Sequence, residues 1–94
     1  MAARVTLTPE AVDEARALLA ADPLDGQRPK VLRIGIGSCG LRRPVAAPAP
    51  TEAGDETLEV EGIAMAIAAT LPGTFHITVG RGRFGAWLNV EHNA

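Results

Sequence analysis

Pro44, Pro48 and Pro50 stand directly behind the run VLRIGIGSCG at residues 31–40. Each proline lacks a backbone N–H, and its ring clashes with the preceding helical turn, so no long helix follows that run. The run contains Gly35-Ile36-Gly37-Ser38-Cys39-Gly40, which satisfies the G-x-G-x-x-G pattern of dinucleotide sites. That pattern works only when its last glycine opens a helix whose N-terminus faces a pyrophosphate. With LRRPVAAPAP after Gly40 the helix is lacking, and the match is accidental. A buried strand, a glycine-rich loop with Cys39, and Arg42 and Arg43 behind it remain.

Hydrophobic periodicity supplies the other elements. Val5-Thr6-Leu7 alternates as a short strand. Thr8 offers a hydroxyl N-cap and Pro9 suits the first helical position, so a helix is predicted over residues 9–21. Ala11, Val12, Ala15, Leu18 and Leu19 form its apolar stripe. Asp22-Pro23 and Asp25-Gly26 end the helix in a loop. Residues 30–36 read as a central strand and residues 44–50 as a proline-confined edge strand. Residues 57–61 alternate, with Leu58 and Val60 inward, and a second, short helix is predicted over residues 66–71, stopped by Pro72-Gly73. The last third reads as a hairpin turning at Gly80-Arg81-Gly82. Phe75, Ile77 and Val79 then share a buried face with Phe84, Leu88 or both, and Trp87 lies on the opposite face. The expected class is α+β: one main N-terminal helix, one short helix and mostly antiparallel strands in a single domain, 1–94.

Composition narrows the function classes. A chain of 94 residues has room for one small core. A net charge of −2 gives no general attraction to nucleic acid or to acidic membranes. The stretch 63–71 is far short of the roughly 20 residues a membrane span needs. The N-terminus has no apolar core of a signal peptide, and a single cysteine fits a reducing compartment, so a cytoplasmic location is expected.

Cys39 is the residue with the most reactive chemistry. Gly37 and Gly40 around it favour an exposed loop tip over core packing. Backbone N–H groups of such a loop, with the charges of Arg42 and Arg43, favour a thiolate. The alternative is a small residue in a turn. Arg42, Arg43, Arg81 and Arg83 flank two glycine-rich loops and would hold an anion or an acidic partner if the loops converge. His76 on a polar strand face and His92 in a frayed tail are metal ligands by residue type only. No nucleophile–base set of defined spacing accompanies Cys39, so an enzyme is not expected.

Four pieces in order, VTLTPEAVDEARALL, VLRIGIGSCG, GDETLEVEGIAMAI and GRGRFGAWLNV, resemble the HesB-like family, the A-type iron–sulfur carriers. The resemblance implies a compact β-rich HesB-like α+β fold, usually oligomeric, that binds iron or an iron–sulfur cluster. It places Cys39 as the metal ligand, with Gly37 and Gly40 in the cofactor-binding loop. It implies cluster-assembly scaffolds or client apo-proteins as partners, and an accessory or carrier-like role in iron–sulfur cluster assembly. The family's carriers also use a C-x-C pair near the C-terminus, where this chain has Val90-Glu91-His92-Asn93-Ala94. With Cys39 as the sole thiol, a cluster needs outside thiolates. The alternative is a diverged metal-free HesB-like interaction module that binds an acidic partner through its arginine-flanked glycine loops.

Overall fold

The structure, a computed structural model, describes residues 4–37 and 43–94. It is β-rich α+β. In chain order the elements are β1 (Val5–Leu7), α1 (Pro9–Ala21), β2 (Leu24–Asp25), β3 (Arg28–Pro29), β4 (Val31–Ile36), β5 (Pro44–Ala49), β6 (Glu56–Val60), β7 (Ile63–Ile67), β8 (Thr74–Gly82) and β9 (Gly85–Asn93). One sheet runs β5-β4-β7-β6, a second β1-β8-β9, and β2-β3 is a small separate ribbon. The β4/β7 and β1/β8 ladders are parallel; the others are antiparallel.

The helix starts where its cap is. Thr8 Oγ1 accepts from the Ala11 N–H at 3.2 Å, Pro9 occupies the first turn, and Glu10 sits at the positive end of the helix dipole. Ala11 and Ala15 are fully buried, and these small side chains let the helix lie close against strands of both larger sheets. The core joins them to Leu32 and Ile34 of β4, Met65 and Ile67 of β7, and Phe75 and Ile77 of β8. Residues at alternate positions of β4 thus face inward, as a half-buried pleat requires.

Two expectations need correction. The second helix, predicted over residues 66–71, does not form. Ala66 and Ile67 belong to β7, which lies between β4 and β6, and both are fully buried. A strand buried on both faces can be apolar at successive positions, which over a short run mimics a helical stripe. Beyond it, Leu71 N–H donates to the Ala68 carbonyl at 3.0 Å in a single turn before Pro72. Arg4 pins this connection, donating to the carbonyls of Leu71 at 2.7 Å and Gly73 at 2.9 Å and pairing with Glu56.

The second correction is the hairpin tip. β8 continues through Gly80 and Gly82, and Gly82 pairs with Gly85, so the turn is Arg83-Phe84. Phe84 is therefore 97% exposed at the tip and not on the buried face. Gly80 and Gly82 are strand residues for a steric reason. A Cβ on Gly80 would lie 2.3 Å from the Trp87 indole, and one on Gly82 would lie 3.1 Å from it. The expected placement of Leu88 and Trp87 holds. Leu88 faces Val79 and packs against the core, while Trp87 is opposite Gly80 on the other face.

Candidate functional site

The β4/β5 ladder ends in the Ile36–Pro44 pair, and beyond it the Gly37 N–H donates to the Arg43 carbonyl at 3.2 Å. This bond closes the base of the loop at residues 38–42. Cys39, Gly40 and Arg42, three of the residues singled out in the sequence, lie in that loop and outside the described residues. Gly37, the remaining site glycine, is at its foot. A Cβ there would meet Val45 at 3.3 Å, so the glycine lets β5 approach closely.

Gly37 and Arg43 also line a cleft of about 260 Å³. Pro44 and Val45 continue its wall on the β5 side, and residues 87–90 of β9 form the other. Trp87 is 51% and Val45 47% exposed, so two large apolar groups border it in contact with solvent. Among the described residues Arg43 is the one charged residue of the lining. The cleft thus brings together the foot of the cysteine loop and the half-exposed indole that alternation placed off the core face.

Arg42 lies outside the described residues, and of Arg43, Arg81 and Arg83 only Arg43 lines the cleft. Arg81 Nη2 pairs with Glu10 at 2.9 Å near the start of α1, and Arg83 occupies the hairpin turn. The histidines also have structural roles. His76 Nδ1 is 2.7 Å from Thr6 Oγ1 across the parallel β1/β8 pair. His92 is not in a frayed tail: it lies in β9 opposite Phe75, stacked on that ring at 4.6 Å between centroids. Its Nε2 is 2.7 Å from the Pro72 carbonyl, which fixes Nε2 as the protonated donor. Among the described residues no group of three or more His, Cys, Asp or Glu side chains is placed to hold a metal ion.

A charged cluster that periodicity did not reveal covers the outer face of the four-stranded sheet. Arg33, in the middle of β4, donates to Asp55 through Nε at 2.7 Å and Nη2 at 2.9 Å, and its Nη1 lies 3.3 Å from Glu52. The Asp55 side chain is 2% exposed. Hydrogen bonds from Arg33 hold its carboxyl below the usual carboxylate range, against the opposing effect of burial. The same bonds raise the already high Arg33 value. Asp55 also accepts from the Glu52 N–H at 3.0 Å, and its own N–H donates to the Glu52 carbonyl at 3.1 Å, closing a turn in which Gly54 has φ +88°. Among the described residues no buried side-chain nitrogen or oxygen lacks a partner, and the cluster anchors the turn to the sheet. The signal available in sequence was Arg33 itself: a cation inside an apolar strand needs a carboxylate.

No protein-family model matches the chain, and no curated protein matches it. Among the described residues no helix is long and apolar enough to cross a membrane.

Proposed function

We propose that this chain is a HesB-like accessory protein of iron–sulfur cluster assembly that takes iron or a cluster as cargo at Cys39. The observation that carries the reading is the mounting of the cysteine loop. A central strand of a β-rich α+β fold delivers it, the Gly37–Arg43 hydrogen bond gathers its two ends, and both ends border a cleft open to a partner. A segment whose described ends, Gly37 and Arg43, are held together beside an open cleft suits a cargo that must be accepted and released.

Cys39 is the sole thiol of the chain, so exogenous thiolates complete any cluster. His76 and His92 are already engaged by Thr6, Phe75 and Pro72, which leaves Cys39 as the ligand of this reading. The protein acts by binding and handing over, with scaffold or client apo-proteins as partners, and self-association supplies a second Cys39.

Anaerobic reconstitution with ferric iron, sulfide and glutathione tests this. Wild type is expected to develop visible iron–sulfur absorbance with iron retained after desalting, and Cys39→Ser to develop neither. Absence of both signals in wild type overturns the carrier reading and leaves the metal-free module. Equal binding by the serine variant removes Cys39 as the ligand.

A further inference from the structure

The two larger sheets end in β5 and β6 on one side and in β1 and β9 on the other. A sheet edge presents unpaired N–H and C=O groups and pairs with other chains unless it is short, charged or interrupted by proline. β5 carries Pro44 and Pro48, β6 carries Glu56 and Glu59, and β1 spans only Val5–Leu7. Over residues 85–89, Gly-Ala-Trp-Leu-Asn, β9 carries no charge and no proline, and β5 approaches it across the cleft with Leu88 and Asn89 half-buried. Gly85, Ala86 and Trp87 are exposed there, and β8 is the only strand paired with β9 among the described residues.

This uncharged stretch borders the cleft. Val45 and Trp87 give the cleft apolar borders, and Arg43 gives it one positive charge with no carboxylate among the described lining residues. Among the described residues Arg43 makes no ion pair, whereas Arg4, Arg33 and Arg81 each have one. Two kinds of recognition therefore meet in one place: a strand edge that accepts an extended backbone, and a pocket selecting an apolar side chain beside a carboxylate.

We propose that the β9 edge at residues 85–89 is a docking strand for an extended acidic segment of a partner protein, with an apolar side chain against Trp87 and a carboxylate on Arg43. This develops the acidic-partner alternative raised by the sequence and is independent of iron. All measurements use the metal-free protein, so failure here and failure of cargo binding are separate results.

The probe is a short fluorescein-labelled peptide of alternating aspartate and valine, read by fluorescence anisotropy. Controls carry lysine in place of aspartate, or N-methyl groups on alternate backbone amides. The acidic peptide is expected to bind and to shift the Trp87 emission. The lysine peptide, and the acidic peptide with Arg43→Glu, are expected to bind about tenfold more weakly or worse. Trp87→Ala is expected to weaken binding by a similar factor, and N-methylation to abolish it. Equal binding of the acidic and lysine peptides overturns the proposal, as does equal binding of the N-methylated one. Those two controls alter only the probe, so a poorly folded variant cannot mask the result. Failure of the acidic peptide to bind at millimolar concentration also overturns it, and sedimentation showing a dimer would then make a second copy the occupant.

Discussion

Glycines at alternate strand positions make room for a large side chain in two regions, with opposite outcomes. On β4, a Cβ at Gly35 would lie 2.8 Å from Arg33 Nη1, so the guanidinium lies along its own strand over a glycine. On the β8/β9 hairpin, Gly80 and Gly82 lie beneath the indole of Trp87 from the partner strand. Arg33 is then enclosed by Asp55 and Glu52 and becomes part of the fold. Trp87 receives no such cover and stays half exposed at the edge of the cleft. The difference lies in what the neighbouring loop supplies. The turn at residues 52–55 brings carboxylates to a charge that burial would otherwise make costly. An indole tolerates partial exposure, so the hairpin can leave its face available.

The largest expected effect breaks the closed side. Asp55→Ala leaves Arg33 largely buried without its bidentate partner and removes the anchor of the turn. A loss of about 3 kcal/mol in urea unfolding is expected. The pH dependence follows from the same pair. The folded Asp55 value is depressed, so its contribution is present above the unfolded carboxylate value of about 3.9 and is lost as pH falls through the folded value. Wild type should lose stability below about pH 4, and Asp55→Asn should flatten that acid limb. An acid limb unchanged in Asp55→Asn would show that the pair contributes nothing to it.

Gly80→Val tests the open side. Its side chain takes the space of the indole, and a cost of about 2 kcal/mol with a red-shifted Trp87 emission is expected. Unchanged emission would show that Trp87 does not lie across Gly80. Gly35→Ala should cost less, about 1 kcal/mol, because the obstructing atom is the end of a long side chain. That cost should shrink in an Asp55→Ala background, where Arg33 is released; equal costs in the two backgrounds would refute the coupling. Cys39→Ser should be the mildest, within about 1 kcal/mol by thermal melting. A larger loss would place the thiol in the core.

Much of the local structure was legible because its causes are local. Thr8-Pro9 marks the start of α1 through one hydroxyl and one missing N–H. The prolines at residues 44–50 restrict β5 to an edge whatever surrounds it. Alternation from Thr74 to Val90 places Leu88 inward and Trp87 outward, because side chains on a strand change face at every residue. The candidate site was legible only in part. Gly37 and Arg43 were named from the loop, but the cleft beside them needs β9, which is more than forty residues away.

The remaining features depended on partners distant in sequence. Ala66 and Ile67 carry nothing that separates a short helix from a strand; β4 and β6, pairing on either side, decide for the strand. Gly80 and Gly82 have the residue type of a turn, but pairing with β9 makes them strand positions and the indole across the ladder takes the space of their side chains. Arg33 shows that a carboxylate is needed, but several acidic residues would serve, and chain packing selects Asp55. Local bonding and steric rules act on neighbours and can be read one residue at a time. Burial, pairing and enclosure are properties of two segments together, and the assembled sheets alone specify the second segment.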